Sequence, residues 1–419
     1  MGLLKPKIRY QVYFYLFLAL AFFIPVHDKF VPPVIALILL NWILELNFRE
    51  KFNRIKDSVH RKNILAFGIL YILYVIGTLY STQLKGQEGA LFDLEVKLSI
   101  LIFPLLFSTI DFSLFKEDFF NRILAFFVAG SLFSGVVLFG LSVLDFYERG
   151  NDPTAFFYTN FAHWQHPSYL ALYYAFSIAV LLASLIKNTY LSNGKKFLYF
   201  SLILYFQLLI VVLSSKAGIL ATAVMYILAF VFLLAKKNFA LAMRFWFPVF
   251  LLLSFFLTLI LFPQSYGRFV SVRSAIEQEE TVPDNTRESS AARLIVWKSA
   301  LEVIKSNPVF GVGTGDVKQE LGKVHKTGAG ENYLNAHNQY IQTTVALGIV
   351  GLLVLVLSFL LPVIWSFKRN SLLYILFLVL VSFHFLVESM LERQAGVVFY
   401  AFFNSLLFYF AVAKKKLES

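Results

Sequence analysis

The chain has 419 residues, of which 58% are hydrophobic and only 15% are charged, and its mean hydropathy is +0.71. So apolar a composition excludes a soluble globular protein of this length and indicates a polytopic membrane protein. The net charge of +12 does not indicate nucleic-acid binding, because the basic residues cluster between hydrophobic runs. The sequence contains no cysteine, which excludes disulfides, thiolate metal sites and cysteine nucleophiles.

The apolar runs predict about twelve transmembrane helices, since roughly 20 helical residues cross a bilayer. We place these spans at residues 11–26, 31–46, 63–80, 96–110, 121–144, 168–186, 197–213, 217–235, 245–262, 341–365, 372–388 and 397–413. The predicted fold is therefore all-α and polytopic. Residues 1–262 would form spans 1–9, residues 263–340 one large extracytoplasmic loop, and residues 341–419 spans 10–12 with a tail.

Positive charge predicts the orientation of these spans, because Lys and Arg are enriched in cytoplasmic connections. The basic residues fall mainly in alternate connections and at the two ends of the chain: Arg49, Lys51, Arg54, Lys56, Arg61, Lys62, Lys195, Lys196, Lys236, Lys237, Lys414, Lys415 and Lys416. This distribution predicts that both termini are cytoplasmic. The large loop would then face the outside, or the periplasm of a cell with two membranes.

The polar loop carries two local signals. Ser289-Ser290 followed by Leu294, Trp297, Leu301 and Ile304 predicts an N-capped amphipathic helix that ends at Asn307-Pro308. The glycine-dense sequence at residues 310–315 lacks the Gly-Lys-Ser/Thr of a phosphate-binding loop. We interpret it as a tight turn that requires positive φ.

Two groups of ionisable residues lie near the outer ends of predicted spans. His337 runs into the tenth span and is expected to share a helical face with Tyr340 and Thr344. An interfacial polar residue and a catalytic histidine are both consistent with this position. His384 and Glu388 lie one helical turn apart near the end of the eleventh span, where structural pairing and a substrate-facing role remain open.

Several sequence patterns together resemble the bacterial O-antigen ligase family, within the wider O-antigen ligase and polymerase superfamily. The patterns are His337-Asn338 followed after nine residues by Gly348 and then Gly351, Arg293-x-x-x-Trp297-x-x-Ala300, and Asn307-Pro308-x-x-Gly311-x-Gly313. The resemblance is detailed from about residue 213 to the end and extends to span count and loop position elsewhere. It implies a GT-C-like membrane glycosyltransferase.

Members of this family take a glycan from undecaprenyl diphosphate and transfer it to an acceptor. The resemblance therefore implies an O-antigen ligase-like enzyme of the bacterial inner membrane that uses the lipid A core as acceptor at the periplasmic face. An O-antigen or exopolysaccharide polymerase and a protein O-oligosaccharyltransferase of the same superfamily are alternatives. Outside the enzyme class, a polysaccharide transporter or flippase would also have about twelve spans, but its charges are expected near the midplane.

The resemblance also assigns roles to residues of this chain. It implies that His337 is the catalytic histidine and that Arg293 binds the diphosphate. A second family arginine corresponds to Lys216, which keeps the positive charge but loses the planar fork that grips phosphate oxygens. Four further residues are possible substrate contacts: Asn338, Tyr340, His166 and Arg287.

The chemistry of glycan transfer fits these residue types. A base must take the proton of the acceptor hydroxyl, and cations must neutralise charge on the leaving diphosphate. Histidine, with an unperturbed pKa of about 6.5, suits a base at neutral pH. The sequence has no Asp-x-Asp pair, so we expect a metal-independent, inverting transferase without a cofactor.

Overall fold

The computed structural model describes residues 6–410 apart from 57, 87–88, 117, 189, 236–240, 263–289 and 325–334. Within these residues the secondary structure is helical, and no strand is present. Seventeen α-helices lie in the described part of the chain: α1 (Pro6–Val26), α2 (Val31–Leu44), α3 (Phe48–Lys56), α4 (Ser58–Thr78), α5 (Ala90–Lys97), α6 (Ser99–Thr109), α7 (Phe119–Glu148), α8 (Tyr158–Ala162), α9 (Pro167–Lys187), α10 (Asn193–Val212), α11 (Lys216–Ala235), α12 (Leu241–Leu261), α13 (Ser290–Ser306), α14 (Val317–Val324), α15 (Gln339–Lys368), α16 (Leu372–Val387) and α17 (Gln394–Phe408).

Each of the twelve predicted spans coincides with one of these helices. Seven helices of the described chain are long and apolar enough to cross a membrane: α1, α4, α7, α9, α10, α11 and α15. Helices α12, α16 and α17 contribute shorter apolar segments, and α2 joins α3 across a bend of 102°. The protein is thus an all-helical, multi-span membrane protein, and the count of twelve spans stays a prediction.

The first of two compact units comprises Met1–Asn53, Thr109–Arg268 and Asn370–Val381. Its core is α9, which is buried along most of its length. Small residues let neighbouring helices approach closely, as is common in membranes. On α7, a Cβ at Gly130 would lie 2.2 Å from the Phe22 carbonyl oxygen of α1. On α11, a Cβ at Gly218 would lie 2.6 Å from that of Ala171 on α9.

The second unit comprises Arg54–Ser108, Phe269–Arg369 and Ser382–Ser419. In it, α15 packs against both α4 and α13. The chain after α13 is fastened to the end of α4: the Thr314 hydroxyl donates to the Tyr74 carbonyl at 2.6 Å, and Asp316 accepts from the Thr82 and Gln83 amides at 2.8 Å each. These bonds position the loop segment that leads from α13 towards α15.

The membrane helix α15 is broken at Gly348, whose φ of 64° and ψ of −160° are not helical. Such a break would leave backbone groups unpaired in hydrocarbon, which is costly. The glycine-dense turn supplies the missing partners: Val312 N and Gly313 N donate to Val345 O and Ala346 O at 2.9 and 3.0 Å, and Ile349 N and Val350 N donate to Pro308 O and Val309 O at 2.9 and 3.4 Å. Positive φ at Gly311 and Gly313 confirms the tight turn expected from the sequence.

Helix α13 forms where the sequence predicts a helix, but its buried face differs from the predicted stripe. Leu294 and Leu301, both assigned to that stripe, are exposed. The buried positions among the described side chains are Val296, Ser299, Ala300 and Val303. The small side chain of Ala300 allows close packing, which the simple spacing of large apolar residues does not anticipate.

Candidate functional site

His337 lies immediately before α15 rather than on its helical face. Its φ is +44°, which is rare for a residue with a side chain and is typical of strained functional positions. Hydrogen bonds made by the residues before and after His337 stabilise this backbone conformation. The His337 backbone N–H donates to Asn335 Oδ1 at 2.8 Å, and Asn338 Oδ1 caps the helix by accepting from Ile341 N at 3.1 Å. The half-buried imidazole is therefore fixed at the start of the span.

The His337 side chain contacts the carboxylate of Glu388. The distance from His337 Nδ1 to Glu388 Oε1 is 2.9 Å, and the Glu388 side chain is only 8% exposed. Arg293 approaches the other oxygen of the same carboxylate, with Nη2 3.8 Å from Oε2. The structure thus brings together His337 and Arg293, two of the predicted site residues, through a third residue between them.

The contact with Glu388 defines what the imidazole can do. When Glu388 is ionised, its carboxylate only accepts hydrogen bonds, and His337 Nδ1–H would then donate a hydrogen bond to Glu388 Oε1. In the neutral ring, Nε2 then has a free lone pair. The arrangement orients a histidine as a proton acceptor, in the manner of a base supported by a carboxylate.

Helix α13 positions Arg293 and also holds the segment before His337. Arg293 and Trp297 are four residues apart, so they project from the same side of the helix. The Trp297 indole N–H donates to the Ala336 carbonyl at 2.7 Å, next to His337. The spacing Arg-x-x-x-Trp therefore has a physical basis, because one residue reaches the site while the other ties the helix to it.

The last turn of α16 and the chain after it are bound to the start of α15 by three further hydrogen bonds. Asn338 Nδ2 donates to the Leu386 carbonyl at 3.0 Å, and the Asn338 amide donates to Ser389 Oγ at 3.2 Å. The Leu391 amide donates to Gln339 Oε1 at 2.7 Å. These bonds surround Glu388 in the sequence and hold its side chain against His337.

Asn338 and Tyr340 adjoin the site but have structural partners. Both ends of the Asn338 amide are used, in capping α15 and in binding Leu386. The Tyr340 hydroxyl lies 2.7 Å from Ser382 Oγ. The Thr344 hydroxyl donates to the Tyr340 carbonyl at 2.7 Å. Substrate contact by Asn338 or Tyr340 stays a prediction.

The other predicted site residues are Lys216, His166 and Arg287. Lys216 is the first residue of α11, and His166 caps α9 by accepting from Ser168 N at 3.3 Å; both belong to the first unit. Arg287 lies outside the described residues. Their roles in diphosphate or substrate binding stay predictions.

The sequence pattern pairs Glu388 only with its helical neighbour His384 and does not indicate that it belongs to the catalytic set. The signal that could have found it is an ionisable residue at the end of an apolar span, since such residues are costly and often functional. Within the described ranges, no three histidine or carboxylate side chains converge as a metal site would require. Metal independence stays a prediction.

Part of the chain is similar to known proteins. A family model described as "O-Antigen ligase" matches residues 200–356. A Haemophilus influenzae protein described as "Uncharacterized protein" is 30% identical over 138 residues, which cover 30% of this chain and 34% of that protein. The chain therefore spans about a third of this relative. The range matched by the family model includes Lys216, Arg293 and His337.

Proposed function

We propose that this chain is a membrane glycosyltransferase of the O-antigen ligase family that moves a glycan from undecaprenyl diphosphate to the lipid A core. The match of residues 200–356 to the O-antigen ligase family model supports this proposal. The reaction would occur at the periplasmic face of the bacterial inner membrane, within a GT-C-like arrangement of about twelve spans. The observation that carries this proposal is the contact of 2.9 Å between His337 Nδ1 and Glu388 Oε1, with Arg293 on the same carboxylate.

In this reaction His337 acts as the general base. The acceptor hydroxyl gives its proton to His337 Nε2 while its oxygen attacks the anomeric carbon of the donor sugar. The bond from that carbon to the diphosphate oxygen breaks, and its electron pair leaves with undecaprenyl diphosphate. Attack opposite the leaving group inverts the anomeric centre. Glu388 stabilises the imidazolium that forms, since its carboxylate stays ionised and accepts the hydrogen bond from Nδ1–H throughout.

Arg293 supplies positive charge for the leaving diphosphate. Its distance of 3.8 Å from Glu388 is longer than a hydrogen bond, and its side chain is 22% exposed. A guanidinium has five N–H donors, so it can engage phosphate oxygens while it remains beside Glu388. Lys216 is proposed as the second cation. A lysine there would act as a point charge, without the bidentate geometry of the family arginine.

A purified transfer assay tests this proposal. The full chain, reconstituted in nanodiscs, is incubated with an undecaprenyl-diphosphate glycan and a lipid A core acceptor, with and without chelator. We expect chelator-resistant transfer that His337→Ala abolishes while the variant keeps the melting temperature of the wild type.

The other outcomes separate the alternatives. Lengthening of the lipid-linked glycan without use of the core would identify a polymerase, and modification of a protein acceptor an oligosaccharyltransferase. Movement of the glycan lipid across the bilayer without any transfer would indicate a flippase. Activity that needs a divalent cation would contradict the metal-independent mechanism, and full activity of His337→Ala would contradict the assigned base.

A further inference from the structure

A second charged group in the same unit is more deeply buried than the candidate site. Lys97, at the end of α5, is 0% exposed. Its Nζ lies 2.9 Å from Glu392 Oε2 and 3.7 Å from Asp93 Oδ2. The same ammonium lies 4.9 Å from the centre of the Tyr74 ring, within the range of a cation–π contact. The side chains of Asp93, Glu392 and Tyr74, which come from three parts of the chain, thus surround the buried Lys97 ammonium.

A buried ion pair of this kind is not explained by stability alone. Removing two charges from water costs about as much as their attraction returns, and apolar residues of similar volume often serve as well. Such pairs are better understood as devices that specify one arrangement of the groups they join, because leaving either charge alone in the interior is strongly unfavourable. Lys97 is therefore expected to specify one arrangement of the segments that its ion pair joins.

The partner of Lys97 belongs to the segment that carries Glu388. Glu392 ends the short 3₁₀ turn Met390–Glu392, four residues after Glu388. Lys97 therefore anchors one end of this segment, while the bond from Leu391 N to Gln339 Oε1 anchors it to α15.

A second connection runs from Lys97 to the start of α15. The Tyr74 ring that faces Lys97 has its hydroxyl 3.2 Å from Thr343 Oγ1. Gln339 Nε2 donates to the same Thr343 oxygen at 3.0 Å. Gln339 thus binds both Thr343 and the segment after Glu388. Two sets of contacts therefore hold the segment that carries Glu388 next to His337. One is the ion pair of Lys97 with Glu392, and the other is made by Gln339.

We propose that Lys97 is a positioning residue for glycan transfer, which acts through Glu392 by holding the Glu388 carboxylate against His337. This inference rests on the proposed function. Lys97 touches neither the substrate nor His337. Its contribution is to keep the 2.9 Å contact between His337 and Glu388 formed during the reaction.

The test replaces the buried pair by apolar residues of similar length, Lys97→Met with Glu392→Met. The double substitution removes both members of the closest ion pair, and Asp93, the carboxyl that remains, can take up a proton because burial raises its pKa, so the protein is expected to fold. We expect kcat for transfer to fall about tenfold or more, with KM for the donor changed less than about twofold, because geometry at the base is affected and donor binding is not. Melting temperature in the same nanodiscs reports folding.

A double-mutant cycle separates positioning from a merely structural role. If Lys97 acts through Glu388, the effects of the substitutions overlap. In a protein that already carries Glu388→Gln, adding Lys97→Met and Glu392→Met should then lower kcat by less than about twofold. The matched control is Lys51→Met with Glu45→Met, the buried ion pair of 3.1 Å in the first unit. The control should leave kcat unchanged in both backgrounds.

Each result decides the inference. Wild-type kcat in a folded Lys97→Met, Glu392→Met variant overturns it, and so does an equal loss with and without Glu388→Gln, which would indicate a general structural effect. A wild-type protein that transfers glycan to no acceptor refutes the proposed function itself, and the positioning role with it. An active wild type combined with an additive loss refutes the positioning role alone.

Discussion

Glu388 changes the chemistry expected of His337, because it decides which nitrogen of the imidazole carries a proton. With an ionised carboxylate 2.9 Å from Nδ1, the ring would donate at Nδ1 and accept at Nε2. An amide at position 388 could instead donate to Nδ1 and favour the opposite tautomer. The histidine would remain in place but would present an N–H where the acceptor hydroxyl needs a base.

We therefore predict that Glu388→Gln lowers kcat for transfer by about 100-fold, within the range of general-base catalysis. KM for the donor should change less than about threefold, since Arg293 and Lys216 keep their charges. The matched control is Glu302→Gln on the exposed side of α13, which should retain wild-type kcat. A Glu388→Gln variant as active as the control would show that the carboxylate does not support the base.

Asp93 provides a prediction about pH. Burial raises the pKa of this carboxyl to about 6, the nearby Glu392 carboxylate adds to the rise, and Lys97 opposes it. Between pH 4 and pH 6 the folded protein thus holds a proton on Asp93 that the unfolded chain releases. Stability contributed by this group is present at low pH and declines as pH rises towards 6.

Asp93→Asn should remove this decline. The free energy of unfolding of the variant, relative to wild type, should increase by about 2 kcal/mol between pH 4 and pH 7, at about 1.36 kcal/mol per pKa unit. Melting temperatures of both proteins across this range provide the measurement. Asp152→Asn is the control, because hydrogen bonds from Thr154 lower the pKa of the exposed Asp152 carboxyl, which is opposite to the shift at Asp93. A pH-independent difference between Asp93→Asn and wild type would contradict the assignment.

At the scale of elements, the break in α15 explains the spacing of Gly311 and Gly348. Gly348 adopts a φ and ψ that side chains avoid, and a Cβ there would lie 2.1 Å from the Val309 carbonyl oxygen. Gly311 approaches the same region from the turn, where a Cβ would lie 2.5 Å from the Ala346 carbonyl. The two glycines let the turn after α13 dock into the break, which fixes α13 relative to the start of α15 within their unit.

Gly348→Ala should therefore destabilise the protein by about 3 kcal/mol or more, from backbone strain and from collision with the turn. Thermal unfolding in nanodiscs, or loss of the monodisperse peak in size exclusion, measures the effect. Gly322→Ala is the control in the same unit, since a Cβ on α14 at that position meets no atom within 4 Å. Alanine there should be neutral or stabilising by up to about 1 kcal/mol. Equal stability of the two variants would contradict a structural role for the break.

At the scale of the whole molecule, hydropathy locates the long apolar helices, because a bilayer imposes both length and composition on each span. It does not predict the short helices α3, α5, α8 and α14. It was not sufficient to find the pairing of His337 with Glu388, which depends on how α15 and the chain after α16 pack. Nor did it reveal the break at Gly348, whose surrounding residues are as apolar as those of an unbroken span. Arg293 and His337 were identifiable from motifs, while Glu388 lies beyond the range of the family match.

The orientation of the molecule gives the last prediction, and the absence of native cysteine makes it measurable. Lys195 and Lys196 predict that the connection between α9 and α10 is cytoplasmic, and the same rule predicts an outer position for the end of α13. Single substitutions Ser192→Cys and Ser306→Cys place one thiol at an exposed position in each. A membrane-impermeant maleimide applied to intact spheroplasts should label Ser306→Cys, and should label Ser192→Cys only after the membrane is permeabilised. The reverse pattern would place His337 and Arg293 on the cytoplasmic side, where transfer to a periplasmic acceptor is impossible.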